Sequence, residues 1–213
     1  MGRVTVVTAR CSAAASFPHM SSVPTTRVDV TRTHLELRSL AALRPSPLPA
    51  AAVALHLHRP ISAAQYRALY TLVGERWLWR DRLVWTEKEL DAYLAVPNVY
   101  VWTLDVEART AGYFELQRHE SGAVEIMYFG LVPSFIGQGL GGWLLTRAVE
   151  EAFAIGAARV TLNTCTLDAP QALPNYLARG FSILREEHYS VEVPLRAEER
   201  GVHLVRRYEA DMR

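Results

Sequence analysis

Polar and apolar residues alternate along Arg27-Val28-Asp29-Val30-Thr31-Arg32-Thr33-His34-Leu35-Glu36-Leu37, with β-branched side chains at several positions, and this two-residue period predicts a strand. The prolines of Arg44-Pro45-Ser46-Pro47-Leu48-Pro49 end it and predict an extended linker. A short strand follows over Val53 to His58. Ser62 is placed to cap a helix from Ala63 to about Arg76, in which Tyr66, Leu69, Tyr70 and Val73 fall on one side. Thr86 and Glu89 have the spacing of a capping box and start a second helix, which Pro97-Asn98 ends. Val99 to Val106 and Ala111 to Gln117 alternate around Glu107-Ala108-Arg109-Thr110, and Val124 to Val132 follows the turn His119-Glu120-Ser121-Gly122, so a three-stranded antiparallel meander is expected.

From Gly139 to Ile155 the period turns helical: Leu140, Leu144, Ala148 and Ala152 recur every four residues, and Gly156 suits a C-terminal cap. Val160 to Thr164 is then a strand reached by a crossover helix, expected to lie parallel to Val124 to Val132. Phe181 to Leu184 and His188 to Val193 are expected to complete the sheet. Residues 1–26, rich in Ala, Ser, Thr and Val without a period, are read as a disordered extension. The expected organisation is therefore an extension (1–26), an added strand and linker (27–49), a main α/β domain (50–195) and a charged tail (196–213).

Of the 213 residues half are apolar, enough for one domain with a sizeable core, and the net charge of +1 calls for neither nucleic acid nor an anionic membrane. No apolar run approaches membrane-spanning length. Cys11 and Cys165 are the only cysteines, which argues against a disulfide framework and, with no recognisable signal peptide, for a cytoplasmic protein. His56 and His58 share a strand face but have no acid or cysteine set beside them, so no metal site is expected.

The most informative run is Phe129-Gly130-Leu131-Val132-Pro133-Ser134-Phe135-Ile136-Gly137-Gln138-Gly139-Leu140-Gly141-Gly142, where an apolar strand enters a glycine-dense turn and a helix leaves it. Backbone N–H groups in such a turn converge on an anion at the positive end of the helix. The loop has no lysine, so it is not a triphosphate site of the G-x-x-x-x-G-K-[ST] type. Gly137, Gly139 and Gly142 also satisfy G-x-G-x-x-G, the dinucleotide fingerprint. That reading wants an Asp or Glu ending the next strand, whereas Val160 to Thr164 ends in amide and hydroxyl. A nicotinamide-dependent oxidoreductase is thus the lesser alternative.

Ile136-Gly137-Gln138-Gly139-Leu140-Gly141 resembles the [Q/R]-x-x-G-x-[G/A] motif of the GNAT superfamily of N-acetyltransferases, with Ile136 in place of the usual Gln or Arg. Asn175-Tyr176-Leu177-Ala178-Arg179-Gly180-Phe181 is similar to that family's Tyr-x-x-x-Gly-Phe, and the likeness spans roughly residues 53 to 190. The resemblance implies a mostly antiparallel sheet with one parallel, splayed strand pair and flanking helices, with the thioester of acetyl-CoA in the gap. It implies that the amides of Gly137, Gln138, Gly139, Leu140, Gly141 and Gly142 hold the diphosphate, with Asn175 on the pantetheine arm. Asn163 either joins Asn175 or ties its own loop.

Acetyl transfer to an amine needs stabilisation of a developing oxyanion, a base and a proton for the leaving thiolate. The main-chain N–H groups of Leu131 and Val132 are the expected oxyanion donors, and Tyr176, where the family often carries a phenol, the expected general acid. Glu125 is the candidate base, because family members carry a strand glutamate there and strand alternation puts it on one face with Met127, Phe129 and Leu131; a solvated carboxylate at the strand start is the alternative. Tyr113, Tyr128, Glu115 and Trp77-Leu78-Trp79-Arg80-Asp81-Arg82 either pack or shape the acceptor side. Asp168 is read as a helix N-cap before Pro170, with contact to a cationic acceptor as the second option. The acceptor is expected to be a small-molecule or peptide amine and the protein a monomer or homodimer. A non-catalytic acyl-CoA-binding module is the other rival reading.

Overall fold

The computed structural model describes residues 25–194; the expectations for Cys11, for the extension up to residue 24 and for the charged tail lie outside the described residues. The strands are β1 (Thr25–Leu37), β2 (Val53–His58), β3 (Val99–Val106), β4 (Arg109–Arg118), β5 (Ala123–Leu131), β6 (Arg159–Cys165) and β7 (Ser182–Pro194). The helices are α1 (Ala63–Gly74), α2 (Glu87–Leu94), α3 (Leu140–Ala154) and α4 (Ala172–Ala178). All seven strands form one mixed sheet in the order β2-β3-β4-β5-β6-β1-β7. Every neighbouring pair is antiparallel except β5 and β6, which run parallel.

The sequence signals for the helices act as expected. Ser62 and Thr86 each close a capping box, with Gln65 and Glu89 returning the hydrogen bond to the cap residue. Helix α1 stops at Gly74, two residues short of the expected end, and runs into a 3-10 turn over Glu75–Trp77, after which Leu78 takes a left-handed conformation. Trp79 packs so closely on Gly74 that a Cβ there would lie 2.3 Å from its ring. This turn swings the tryptophans away from the helix axis and onto the sheet.

The strand expected as an addition ahead of the main domain lies inside the sheet. β1 is flanked on one side by β6, through Arg32–Leu37 against Val160–Cys165, and on the other by β7, from Thr25 to Glu36. Its first residue is Thr25, inside the segment expected to be an extension. β7 is one continuous strand where two short ones were expected. The charged run Arg185-Glu186-Glu187 separates the two expected strands, but β1 offers a partner across it: Thr33 donates to Glu186 and Arg32 pairs with Glu187. A bulge between His34 and Leu35 absorbs the register change.

A second bulge matters more. β4 and β5 pair as Glu115 with Tyr128 and Leu116 with Ile126, so Met127 is the extra residue and strand alternation inverts there. Beyond it Tyr128 meets Tyr70 of α1 and a Cβ on Gly130 would strike Val73, so these positions face α1. Phe129 meets Tyr176 of α4, and Leu131 reaches toward Gly141 of α3, on the opposite face. The sheet is thus sandwiched between α1 with α2 and α3 with α4.

The α1–α2 face carries a buried polar cluster. Glu115 accepts hydrogen bonds from the hydroxyls of Tyr66 and Tyr93 and from Arg82 at 3.3 Å, and both Arg82 and Glu115 are buried. The Arg82 guanidinium also lies 4.2 Å from the Trp85 ring centroid and 4.1 Å from that of Tyr93. This cluster pins the segment between the two helices against β4.

Leu35 of β1 is fully buried in the main core. Leu35→Ala is expected to lower unfolding stability by about 2–5 kcal/mol in a urea titration; a loss below about 1 kcal/mol would mean that β1 does not contribute to the core.

Candidate active site

β5 and β6 pair only at Ala123, Val124 and Glu125 with Arg159, Val160 and Thr161. Beyond that point both strands continue, but apart. β5 stays with β4 through Leu131, and β6 follows β1 through Cys165, with the Thr166 N–H still donating to Thr31 O at 3.1 Å. The opening between them is part of a cavity of about 430 Å³ that passes from one face of the sheet to the other. Trp77, Trp79, Tyr128 and Gly130 line it on the α1 side, and Phe129, Leu131, Asn175 and Tyr176 on the α3–α4 side.

At the α3 end the cavity meets the glycine-rich turn. Gly139 is the N-cap of α3, with φ of 76° and no side chain capping the helix, so the first-turn N–H groups keep their hydrogen-bonding capacity for an anion. Gly137 also has positive φ, 87°, and a Cβ at either glycine would meet nothing within 4 Å. Backbone conformation, not space, therefore demands glycine at both positions. Gly142 is closely covered by side chains instead: a Cβ there would lie 2.7 Å from Arg179 Nη1 and 2.8 Å from Ser46 Oγ, which would have to shift. The proline-rich segment thus runs over the helix start, held by the Ser46 N–H donating to Thr146 Oγ1 at 2.9 Å. No sequence signal marks Ser46 or Arg179 for that place.

The other expected cofactor contacts fall as follows. Gly137, Gly139, Gly141 and Gly142 line the cavity. Gln138 folds back to donate to Ser134 O at 2.9 Å and Leu140 is buried in the core; neither lines the cavity. Asn175 lines the cavity while donating to Gly141 O at 3.3 Å, which ties α4 to α3; Asn163 lines it from β6.

The pair of oxyanion donors needs correction. The Val132 N–H donates to Ala111 O at 2.8 Å and is already used. That bond makes Ala111 and Val132 a hydrogen-bonded pair, so Gly112 and Leu131 form the next, non-bonded pair and the Leu131 N–H points away from β4 into the gap. Of the two, Leu131 alone presents an amide there.

Glu125 also departs from expectation. Because alternation inverts at Met127, Glu125 shares a face with Tyr128 and not with Phe129 or Leu131. It sits where β5 and β6 are still paired, bonds His119 Nε2 at 3.0 Å and does not line the cavity.

Tyr176 is buried on α4 with its ring edge-on to Phe129 and Phe181, and it lines the cavity. Burial, with Asp168 adding to it, pushes its phenol well above the usual range, so it stays protonated across the working pH. The Gly-Phe that follows is structural: Gly180 has φ of 99°, and a Cβ there would lie 2.2 Å from Ala42 O.

Asp168 is not a helix cap. The N-cap of α4 is Gln171, without a side-chain bond, whereas Asp168 accepts from Thr164 Oγ1 at 2.7 Å and from the Cys165 N–H at 2.9 Å. It closes the end of β6 and lines the cavity. Burial raises its carboxyl above the ordinary range, opposed by the bonds from Thr164 and Cys165, by Trp79 and by the charge of Arg32.

The model of the Acetyltransferase (GNAT) family matches residues 66–181, more than half of the chain. A comparison with curated protein sequences found no match. Among solved structures, the GCN5-related N-acetyltransferase from Kribbella flavida aligns with a TM-score of 0.53 and 18% identity over 81% of this chain and 61% of that one. The ribosomal-protein-S18-alanine N-acetyltransferase from Escherichia coli gives 0.50 and 16% over 70% of this chain and 98% of that one. An aminoglycoside acetyltransferase from an uncultured soil metagenomic sample gives 0.50 and 16% over 60% and 86%. This chain therefore spans less than two thirds of the Kribbella structure, and at such identities the likeness is one of fold. Together with the family match, the mixed sheet and its diverging parallel pair establish that the chain belongs to the GNAT acetyltransferase family.

Proposed function

We propose that the protein is a cytoplasmic N-acetyltransferase that moves the acetyl group of acetyl-CoA to a primary amine by direct attack in a ternary complex. The observation that carries this reading is the continuity of the cavity: it joins an uncapped, glycine-lined helix start to a gap between parallel strands and emerges on the opposite face among tryptophans. A donor entering from the α3–α4 side and an acceptor from the α1 side would meet in the gap, so no acyl-enzyme is needed.

In this reading the amides of Gly137, Gln138, Gly139, Leu140, Gly141 and Gly142 hold the diphosphate, compensating for Ile136, whose side chain has no polar group to offer. Asn163 and Asn175 bind the pantetheine arm. The Leu131 amide polarises the thioester carbonyl, and Tyr176 protonates the departing thiolate. The acceptors named for the two similar enzymes, an aminoglycoside and the alanine of a ribosomal protein, are both amines and fit this reaction. The tryptophan-lined acceptor side favours a small amine over a bulky protein surface.

Acetyl-CoA consumption and thiol release across a panel of primary amines, with CoA and NAD compared by thermal shift, test the proposal. Transfer with CoA-dependent stabilisation is expected. Stabilisation without transfer would favour a binding module, and a response to NAD alone would favour the oxidoreductase. Gly139→Glu puts a side chain at positive φ, costing about 1–2 kcal/mol, and sets a negative charge beside the diphosphate, so CoA affinity should fall at least about tenfold by calorimetry. Tyr176→Phe should lower kcat about 100-fold or more with little change in CoA affinity; a matching loss of affinity would make Tyr176 structural. Glu125→Gln should leave kcat within about threefold of the parent, whereas a loss as large as that of Tyr176→Phe would restore Glu125 as the base.

A further inference from the structure

Glu125 is bonded to His119 and does not line the cavity, and Glu115 is held by Arg82, Tyr66 and Tyr93, so the gap still needs a proton acceptor. Asp168 is the only Asp, Glu, Lys, Arg or His that lines the cavity, among the described residues. Its carboxylate is oriented from behind by Thr164 Oγ1 and the Cys165 N–H, both bonded to Oδ2. Trp79 stands beside it on the acceptor side and Tyr176 on the donor side.

We infer that Asp168 is the catalytic base and the anchor of the acceptor, so that the substrate is taken as a primary ammonium ion and deprotonated in the site. The inference rests on the acetyl-transfer reading above. As the one carboxylate of the described cavity lining, Asp168 attracts a cation, and Trp79 and Tyr128 line the same cavity as aromatic neighbours for its charge. The ammonium gives one proton to Asp168. Its nitrogen lone pair then attacks the thioester carbonyl carbon, the C–N bond forms, and the C–S bond breaks with its electron pair leaving on sulfur. Tyr176 protonates the thiolate and recovers a proton from the new amide nitrogen, while Asp168 returns its own to solvent. Ammonium and acetyl thioester thus become amide, thiol and one released proton.

The pH dependence follows from the groups around Asp168. Arg32 of β1 and the hydrogen bonds of Thr164, Cys165 and Trp79 favour its charged form, burial opposes it more strongly, and Tyr176 of α4 is the neutral acid facing it. The carboxyl therefore titrates above its ordinary value, and activity should fall as pH drops through that raised value. Between that point and the pKa of the amine, near 10 for an alkylamine, kcat/KM on total amine should be flat, because ammonium and carboxylate are both in the required form.

The test is the pH profile of kcat/KM for the parent and Asp168→Asn, using the amine that gives the highest rate in a panel of alkylamines, arylalkylamines and aminoglycosides. The variant keeps an acceptor for Thr164 and Cys165 and should retain the CoA-induced thermal shift. Its activity at pH 7 should fall about 100-fold or more, and the deficit should shrink about tenfold per pH unit up to pH 9, since it can use only free amine. Thr164→Val, which removes one bond to the carboxylate, should move the acid limb to higher pH and keeps the test open if Asp168→Asn misfolds. A parent-like Asp168→Asn, a deficit equal at every pH, or an unmoved acid limb in Thr164→Val would overturn the assignment. A parent that acetylates no amine would instead refute the reading on which it rests, and the inference with it.

Discussion

β6 hydrogen-bonds to β1 over six residue pairs and to β5 over three. The site depends on this imbalance. β5 is committed to β4 as far as Val132, whose N–H reaches Ala111. β6 is committed to β1 past its own end, through Thr166 and Thr31. Neither strand can close the gap without giving up a ladder on its other side, so the amide of Leu131 faces a cavity where a parallel neighbour would otherwise lie.

The bulge at Met127 is the second determinant. A regular β5 would point Glu125 and Phe129 the same way; the inserted residue puts Glu125 on the face of Tyr128 instead, where it bonds His119. Tyr128 joins Trp79 and Tyr70 on the α1 face while Phe129 packs on Tyr176 on the α3–α4 face. Behind this divide, the Arg82–Glu115 cluster fixes the loop carrying the tryptophans. Removing one partner of such a buried pair strands the other charge, which makes the cluster a structural element and unsuited to proton transfer.

Much of this was legible in the chain because local rules settle it. Capping boxes at Ser62 and Thr86, the four-residue spacing through α3 and the turn at His119–Gly122 each act within one element. The glycines at 137 and 139 were likewise readable, since a positive φ leaves a composition signature. What escaped depends on distant partners. The place of β1 between β6 and β7, and the fusion of two expected strands into β7, follow from long-range pairing. The bulge carries no Gly or Pro to announce it, so face assignments along β5 failed beyond it, and Glu125 with them. Asp168 before Pro170 has the local pattern of a helix cap, yet its bonds run back to the strand it follows.

Amide hydrogen exchange with and without CoA tests the central claim most directly. If the parted strands and the uncapped start of α3 grip the carrier by main chain, CoA should slow exchange at residues 137–142 and at Leu131, and leave the α2 and β2–β3 amides unchanged. Protection confined to other segments, or none at saturating CoA, would contradict the account.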